Sequence, residues 1–206
     1  MGRGGKTQDE NPTRKSDTRE RILAAAVKQF SRHSYESTGL RDIAAAAEVD
    51  VAYVHRCFGS KAQLFAEAVK ASVQLERCLG KEDTDPADAL ATELFTKDAQ
   101  RIIDPDRAGL DIMLRSISSP EAAAILRENI HSEVIAPLVR RLGDSADHRA
   151  ALVMAFLFGT VVLRRVLQIE PLTEPPGGKL EVFVRSTLDH LINDTPTGIA
   201  ASKKAR

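Results

Sequence analysis

The stretch LRDIAAAAEVDVAYVHRCF, from Leu40 to Phe58, decides the fold. A first set of apolar residues recurs at the spacing of one helical face: Ile43, Ala44 and Ala47. Asp50 follows as a good N-cap, because its carboxylate can accept hydrogen bonds from the free N–H groups of the next helical turn. A second apolar set then recurs at i, i+3 and i+7: Val51, Val54 and Phe58. The stretch therefore predicts two short helices joined by a tight turn.

Two short helices with such a turn are what a DNA-reading helix-turn-helix requires, with the second helix entering the major groove. An ordinary helical hairpin of an α-domain has the same pattern. The flanking sequence favours the helix-turn-helix. Asp17–His33 is predicted as a bracing helix, which Asp17 and Glu20 would open as a capping box. Phe58-Gly59 ends the second helix, and Ser60 can cap a fourth.

The segment from about Ser16 to Val69 resembles the DNA-binding domain of TetR-type (tetracycline-repressor-like) transcriptional regulators. The matching positions appear in the family's order over about 50 residues: Arg19, Ile22, Leu23, Ala24, Ala25, Phe30, Thr38, Asp42, Ile43, Ala44, Ala47, Val49, Asp50, Phe58, Ser60, Lys61 and Leu64. The remaining two-thirds of the chain resembles the family only in length and helical character. Three departures stand near the expected DNA surface: Glu48 replaces a frequent Gly, Asp50 a Ser or Thr, and His55 a Tyr.

The predicted fold is all-α with about nine helices. An N-terminal three-helix DNA-binding domain precedes a C-terminal helical ligand-binding and dimerisation domain. The predicted divisions are a flexible arm (1–16), the DNA-binding domain with connecting helix 4 (17–79, helix-turn-helix 40–58), the regulatory and dimerisation domain (80–194) and a flexible tail (195–206). Pro137 should kink a helix that runs from Pro120 to Leu142, because proline removes a backbone hydrogen bond. Helix 4 is expected to continue to about Leu79.

The residues expected to contact DNA lie on and beside the second helix of the motif: Thr38, Arg41, Val51, Ala52, Tyr53, His55, Arg56 and Lys61. Thr38 is a candidate cap and phosphate ligand. Arg56 suits guanine or a phosphate, and Tyr53 can meet a thymine methyl group. Lys61 lies in the first turn of helix 4, where a cation is unfavourable unless it shares a phosphate with the free N–H groups. The family resemblance assigns Lys61 that role.

Charge, cysteine content and the lack of known motifs restrict which other functions the sequence predicts. The net charge is zero, so a DNA-binding face must be a local patch. Residues 1–61 hold eleven basic and eight acidic side chains, a balance of +3. Cys57 and Cys78 form no disulfide framework, and no signal peptide or spanning segment is evident, so we expect a cytoplasmic protein without membrane attachment. No metal-ligand pattern or cofactor motif is present, and no catalytic residue is assigned.

The resemblance implies a homodimer that binds operator DNA and a small-molecule effector of unknown identity. Candidate pocket residues are Phe65, Phe95, Met113 and Ile117. Candidate residues of the dimer interface on the last two long helices are Leu152, Phe156, Leu163, Leu167, Phe183, Leu188 and Leu191. Residues of this kind are more often simple core than pocket lining, and burial within one subunit is the alternative for the interface candidates. Two alternatives stay open: an α-helical enzyme, and a TetR-like interaction module that has lost operator binding through the acidic Glu48 and Asp50.

Overall fold

The computed structural model describes residues 12–73, 79, 84–95, 105–143 and 146–193, with the side chains of 12–15 and 105–107 excepted. The predicted arm up to residue 11, residues 74–78 with Cys78, residues 80–83, 96–104 and 144–145, and residues 194–206 with the predicted tail lie outside this part of the chain. Every regular element in the described part is helical. Ten α-helices follow in order: α1 Pro12–Arg32, α2 Leu40–Ala46, α3 Val51–Phe58, α4 Lys61–Ser72, α5 Pro86–Phe95, α6 Pro105–Ser116, α7 Pro120–Ile130, α8 Ala136–Leu142, α9 Asp147–Val161 and α10 Lys179–Asn193.

Two π-helical turns and one 3₁₀ turn complete the described elements. His131–Ile135 joins α7 to α8, and Val162–Val166 extends α9, while Glu170–Leu172 is a 3₁₀ turn. With α7, the first π turn and α8 counted as one helical run, the described part has the nine helices that the sequence predicts. In the first π turn, the Ala136 N–H bonds to the His131 carbonyl. Pro137, which has no N–H to donate, follows this turn directly and lies in the first turn of α8. The kink predicted at Pro137 stays a prediction.

Two helix boundaries differ from the prediction. Helix α1 begins at Pro12, so the last residues of the predicted arm are helical. Asp17 and Glu20 therefore lie inside α1 and form no capping box. Helix α4 ends at Ser72, because Val73 is extended (φ −106°, ψ 120°), and it does not continue to Leu79.

The chain divides into two compact units. The first comprises residues 1–73 and 105–129, and the second comprises 74–104 and 130–206. Helices α6 and α7 thus pack with α1–α4, although they follow the predicted DNA-binding domain in sequence. The domain boundaries drawn from the sequence stay a prediction.

The first unit is built around a cluster of three aromatic rings. Phe30 and Phe65 meet edge to face with centroids 4.9 Å apart, and Tyr35 and Phe65 do the same at 4.9 Å. Phe30 and Tyr35 stack at 6.2 Å. Ile43 and Val54 bring α2 and α3 into the same core, so burial of aromatic and aliphatic surface fixes both helices of the motif against α1 and α4.

The second unit packs α5 against α10 and α9 against α10. Its core includes Leu90, Leu138, Val153 and Leu188. The Arg149 guanidinium donates to the Ile192 carbonyl at 2.7 Å, which gives the C-terminal end of α10 a cation and a hydrogen-bond donor.

Candidate nucleic-acid interface

The turn between α2 and α3 has the geometry of a helix-turn-helix. The Val49 N–H bonds to the Ala44 carbonyl at 3.0 Å and closes the end of α2. Glu48 has a φ of 54°, in the left-handed region that glycine adopts without strain. A glutamate in that conformation costs roughly 1 kcal/mol. From α1, the Arg21 guanidinium donates to the Ala47 carbonyl at 2.5 Å. Nothing in the local sequence indicates this brace.

Asp50 caps α3 as the sequence predicts. Its Oδ1 accepts a hydrogen bond from the Ala52 N–H at 2.7 Å, and its backbone is extended (φ −72°, ψ 142°). The carboxylate therefore satisfies one of the free donors at the start of the helix. Its negative charge also lies at the positive end of the α3 dipole, a favourable arrangement for an anion.

Helix α3 has one buried and one open face. Val54 and Phe58 are buried in the first unit. Ala52, His55 and Arg56 are exposed, while Val51 and Tyr53 are half-buried. All five predicted contact residues of α3 are thus at least partly open to solvent, and a groove-reading helix needs such a face.

Arg56 and Tyr53 form a stacked pair on the open face. The Arg56 guanidinium carbon lies 4.9 Å from the centroid of the Tyr53 ring. This cation–π contact restricts a flexible side chain, so Arg56 would lose less conformational entropy on binding an anion or a base.

His55 bonds to the chain immediately after α3. Its Nδ1 lies 2.9 Å from the Gly59 carbonyl oxygen, and because a carbonyl can only accept, Nδ1 carries the proton. In a neutral ring Nε2 is then an acceptor, whereas in an imidazolium it is a donor. Only the imidazolium form can donate from Nε2 to a phosphate, as the phenol usual in the family would.

The two remaining candidates near α2 differ in accessibility. Arg41 is exposed. Thr38 is only 3% exposed, and its hydroxyl donates to the Ser34 carbonyl at 3.0 Å. Thr38 is not the cap of α2, because Gly39 is the N-cap and its N–H bonds to the Asp42 carboxylate at 3.0 Å. Phosphate binding by Thr38 stays a prediction, and its internal hydrogen bond weighs against it.

The N-terminus of α4 follows α3 closely and has a capping box formed by Ser60 and Gln63. The Gln63 N–H donates to Ser60 Oγ at 3.1 Å, and the Ser60 N–H donates to Gln63 Oε1 at 3.0 Å. The N–H groups of Lys61 and Ala62 have no acceptor within the helix at these positions. The Lys61 ammonium lies 4.3 Å from the centroid of the Tyr35 ring. No local pattern predicts this contact, because the two residues are 26 positions apart in the chain.

Arg19 makes two further contacts that no local sequence pattern predicts. Its guanidinium carbon lies 4.6 Å from the Phe58 ring centroid, and it pairs with Glu67 at 3.3 Å. Both partners of the ion pair are nearly half exposed, so the pair itself contributes little stability. The ring contact joins α1 to the C-terminal end of α3.

The four candidate pocket residues do not form a common lining in either unit. Phe65 is fully buried in the core of the first unit, and Met113 packs against that core. Ile117 is 56% exposed. Phe95 belongs to the core of the second unit, where the Arg164 guanidinium lies 4.6 Å from its ring centroid. Burial lowers the pKa of Arg164, with the Glu174 charge opposing this effect.

The candidate dimer residues fall into three groups in the second unit. Four are exposed: Leu152, Leu163, Leu167 and Phe183. Phe156 and Leu191 are half-buried. Leu188 is 0% exposed and belongs to the core of its own unit, so it is unavailable to a partner without rearrangement. Further exposed apolar side chains that sequence analysis did not name are Val166, Ile169 and Val182.

The described residues hold no group of three or more His, Cys, Asp or Glu side chains placed to bind a metal ion. Cys57 is half-buried and unpaired with another cysteine. Among the helices that the structure describes, none is long and apolar enough to cross a membrane.

Two family descriptions match the chain. "Bacterial regulatory proteins, tetR family" matches residues 22–68, and "Tetracyclin repressor-like, C-terminal domain" matches residues 88–192. The first match covers α2 and α3 and the turn between them. The second covers slightly more than half of the sequence. No curated protein matches the sequence significantly.

Several solved structures share the fold. GusR of Salmonella enterica aligns with a TM-score of 0.66 at 23% identity, over 91% of this chain and 100% of its own. The multidrug binding protein EbrR, complexed with ethidium, aligns at 0.60 and 20% identity, over 86% and 99%. NalD of Pseudomonas aeruginosa, the secondary repressor of the MexAB-OprM multidrug efflux pump, aligns at 0.59 and 20% identity, over 88% and 100%. At these identities the alignments show a common fold.

Proposed function

Because this chain belongs to the TetR family of bacterial regulatory proteins, we propose that it is a dimeric repressor that a small apolar ligand releases from a palindromic operator. The observation that carries this proposal is the open face of α3. It presents Ala52, His55 and the stacked Tyr53–Arg56 pair, while Val54 and Phe58 anchor the opposite face.

The dimensions of α3 suit the major groove. Eight residues make a helix about 12 Å long, and the major groove is about 12 Å wide. Arg56 supplies a guanidinium that can bond two acceptors of guanine. Lys61 and the free N–H groups of α4 supply a phosphate site next to α3, and Arg41 a second cation. Phosphate contacts set the register of the helix, and base contacts supply the sequence preference.

Two arguments support a dimer. One short helix contacts too few base pairs to discriminate well between DNA sequences, and the second unit exposes apolar side chains. Within the described part, seven large apolar side chains between Leu152 and Phe183 are exposed. They lie on α9, the π turn after it, the following loop and α10. Large exposed apolar patches are unusual in monomers. We propose that these residues meet the same surface of a second copy, which places two recognition helices about 34 Å apart on a palindrome.

The effector completes the proposal. A ligand that binds better to a conformation unable to hold both recognition helices on the operator lowers DNA affinity by its differential affinity for the two conformations. The scarcity of aromatic residues, at 4%, favours an aliphatic or modest-sized apolar ligand. The proposal of an effector does not depend on the four candidate residues named from the sequence.

Selection of genomic fragments by the full chain, followed by fluorescence anisotropy across a salt series, tests DNA recognition. We expect a palindromic site of nanomolar affinity. Tyr53→Ala should weaken binding to that site selectively, and Lys61→Ala should weaken binding to all sequences and lower the salt slope by about 1. Lys179→Ala, which removes an exposed cation from α10, is the matched control and should leave affinity unchanged. Weak binding without sequence preference would overturn the proposal and favour the interaction module.

Sedimentation equilibrium tests the dimer. Phe183→Asp should raise the dimer dissociation constant strongly, since Phe183 is 69% exposed and its replacement disturbs no core. Ile117→Asp is the matched control, because Ile117 is 56% exposed but belongs to the first unit. An equal effect of both variants, or a monomeric wild type, would contradict the proposed surface.

A further inference from the structure

The imidazole ring of His55 is held at the end of α3 by the residue that caps this helix. Its Nδ1 lies 2.9 Å from the Gly59 carbonyl oxygen, and the Gly59 N–H donates to the His55 carbonyl at 2.8 Å. Gly59 has a φ of 76°, in the left-handed region that favours glycine, so the backbone conformation that presents this carbonyl suits the residue. The ring is therefore bonded through Nδ1 to a defined point of the backbone.

The other ring nitrogen, Nε2, is available to an outside partner. His55 is exposed, and in the described part of the chain the Gly59 carbonyl is the partner that its ring has. Nδ1 carries a proton, because a carbonyl oxygen can only accept. Nε2 of the neutral ring is then an acceptor, as the oxygens of a DNA phosphate are. A hydrogen bond between Nε2 and a phosphate therefore requires a second proton on the ring.

The location of His55 favours a phosphate over a base edge. His55 lies in the last turn of α3, whereas a recognition helix meets the bases mainly with its N-terminal residues. Its acceptor Gly59 is followed by Ser60 and by Lys61, the first residue of α4. The ring thus lies at the junction of α3 and α4, where the proposed function places a phosphate.

Acidic side chains on the elements around His55 are bonded elsewhere or exposed. Asp42 on α2 accepts from the Gly39 N–H at 3.0 Å, and Asp50 caps α3. Glu67 on α4 pairs with Arg19 at 3.3 Å. Glu48 in the turn is exposed. None of these carboxylates bonds to His55 in the described part of the chain. A DNA phosphate would therefore be a new anionic partner for the ring.

The remaining charged and titratable side chains nearby cannot replace that anion. Arg41 on α2, Arg56 on α3 and Lys61 on α4 carry donors and no acceptor. Tyr53 and Cys57 are the other titratable side chains of α3, and phenols and thiols ordinarily lose their protons above about pH 8. Imidazole is the side chain that ordinarily changes its charge between about pH 5 and 8.

We propose that His55 couples operator binding to proton uptake: its Nε2 contacts a DNA phosphate only in the imidazolium form, so affinity for the operator rises as the pH falls. The proton comes from solvent and forms the Nε2–H bond, while Nδ1 keeps its proton and its bond to Gly59. Because the phosphate stabilises the charged ring, the bound protein holds more protons than the free protein. The gain in affinity is complete at low pH and is lost as the bound ring deprotonates with rising pH. The proposal rests on the placement of α3 in the proposed function.

Fluorescence anisotropy with the selected duplex at about pH 6 and about pH 8, at constant ionic strength, tests this coupling. An exposed ion pair changes affinity about threefold, so wild-type affinity should be about tenfold higher at the lower pH when both subunits of a dimer are bound. His55→Gln removes the titrating ring and should lose this difference. His148→Gln replaces an exposed histidine of α9 and is the matched control, which should keep it. Equal pH dependence of wild type and His55→Gln would overturn the proposal.

Two further readouts separate a phosphate contact from a general effect of pH. The salt dependence of wild-type binding should be steeper at about pH 6 than at about pH 8, by about 1 in the logarithmic slope for each His55 that neutralises a phosphate. His55→Tyr supplies a hydroxyl that donates at both pH values, so it should bind more tightly than wild type at about pH 8 and show no pH dependence from this position. An unchanged slope, or pH dependence retained in His55→Tyr, would contradict the proposal.

Failure of the proposed function would look different. Absence of a sequence-selective site at both pH values would overturn the proposed function and this inference together. A selective site whose affinity does not depend on pH would overturn this inference alone.

The bond to Gly59 can be checked on the free protein. In its ¹⁵N NMR spectrum at about pH 8, Nδ1 of the neutral His55 ring should carry the proton and Nε2 should not. A proton on Nε2 of the neutral ring would refute the proposal even if DNA affinity changes with pH, because Nε2 would then be a donor in both charge states.

Discussion

Two substitutions of Asp50 can separate the contribution of its carboxylate to capping α3 from its expected repulsion of DNA phosphates. Its Oδ1 accepts from the Ala52 N–H at 2.7 Å. Asp50→Ala removes that acceptor and should lower the free energy of unfolding by about 1 kcal/mol. Asp50→Asn keeps an acceptor of the same reach, and asparagine caps as well as aspartate, so its effect should stay within about 0.5 kcal/mol.

The effects on DNA affinity should follow a different order. At a separation of about 6 Å in water, a carboxylate and a phosphate repel by about 0.7 kcal/mol, which is about threefold in affinity. Asp50→Asn should therefore bind DNA about threefold more tightly at low salt, and the gain should fall as salt screens the repulsion. Asp50→Ala loses the same charge but frays an eight-residue helix, so its affinity should lie below that of Asp50→Asn.

Urea unfolding followed by circular dichroism measures the first effect, and fluorescence anisotropy at two salt concentrations measures the second. The unfolding slope should be the same for all three proteins, which shows that only stability has changed. Equal destabilisation by the alanine and asparagine variants would refute the capping argument. Equal DNA affinity of wild type and Asp50→Asn at low salt would refute the placement of this charge near phosphates.

Three further substitutions test other features. Glu48→Gly should stabilise the protein by roughly 0.5–1 kcal/mol because it relieves the left-handed φ of 54°, and a lower melting temperature would contradict this account. Gly109→Ala should cost about 1–3 kcal/mol in urea unfolding, because a Cβ there would lie 2.8 Å from the Ser72 carbonyl oxygen. Unchanged stability would mean that the two helices separate at little cost. Leu188→Ala should lower the stability by about 2–5 kcal/mol, as expected for a core residue that is 0% exposed. Strong dissociation of the dimer without loss of subunit stability would instead return Leu188 to the interface.

Local signals predicted the helix-turn-helix well because its determinants are local. The apolar periodicity of α2 and α3 fixes their buried faces, and Asp50 marks the start of α3. The same local reasoning failed at Thr38, where two adjacent residues can each begin the helix. Gly39 takes the cap, and the Thr38 hydroxyl turns back to the Ser34 carbonyl.

The end of α4 coincides with a close contact to another helix that no local pattern predicts. The apolar residues after Ser72 continue the helical spacing, so the sequence predicts a longer helix. In the structure, α6 crosses the end of α4 at Gly109, where the missing side chain admits the Ser72 carbonyl. A glycine more than thirty positions away cannot be assigned to this contact from the sequence alone.

Helical periodicity also does not predict whether an apolar residue packs into the core of its own unit or stays exposed on the surface. Phe183 and Leu188 both follow helical spacing on α10, yet one is 69% exposed and the other fully buried. Among the pocket candidates, Phe65 and Phe95 belong to the cores of different units, and their role in ligand binding stays a prediction. An amphipathic pattern predicts that a residue avoids water, whereas the identity of its neighbours is decided by packing.

Helices α1–α4 do not form the core of the first unit by themselves. Ile112 of α6 and Leu126 of α7 are buried with the aromatic cluster of α1 and α4, so these two helices complete the core that supports α2 and α3. The predicted boundary at residue 80 assigned both helices to the regulatory and dimerisation domain. Their packing means that residues after the predicted DNA-binding domain contribute to the core against which α2 and α3 pack. Under the proposed function, a ligand that displaced α6 or α7 would weaken the support of α3 without contacting the residues expected to bind DNA.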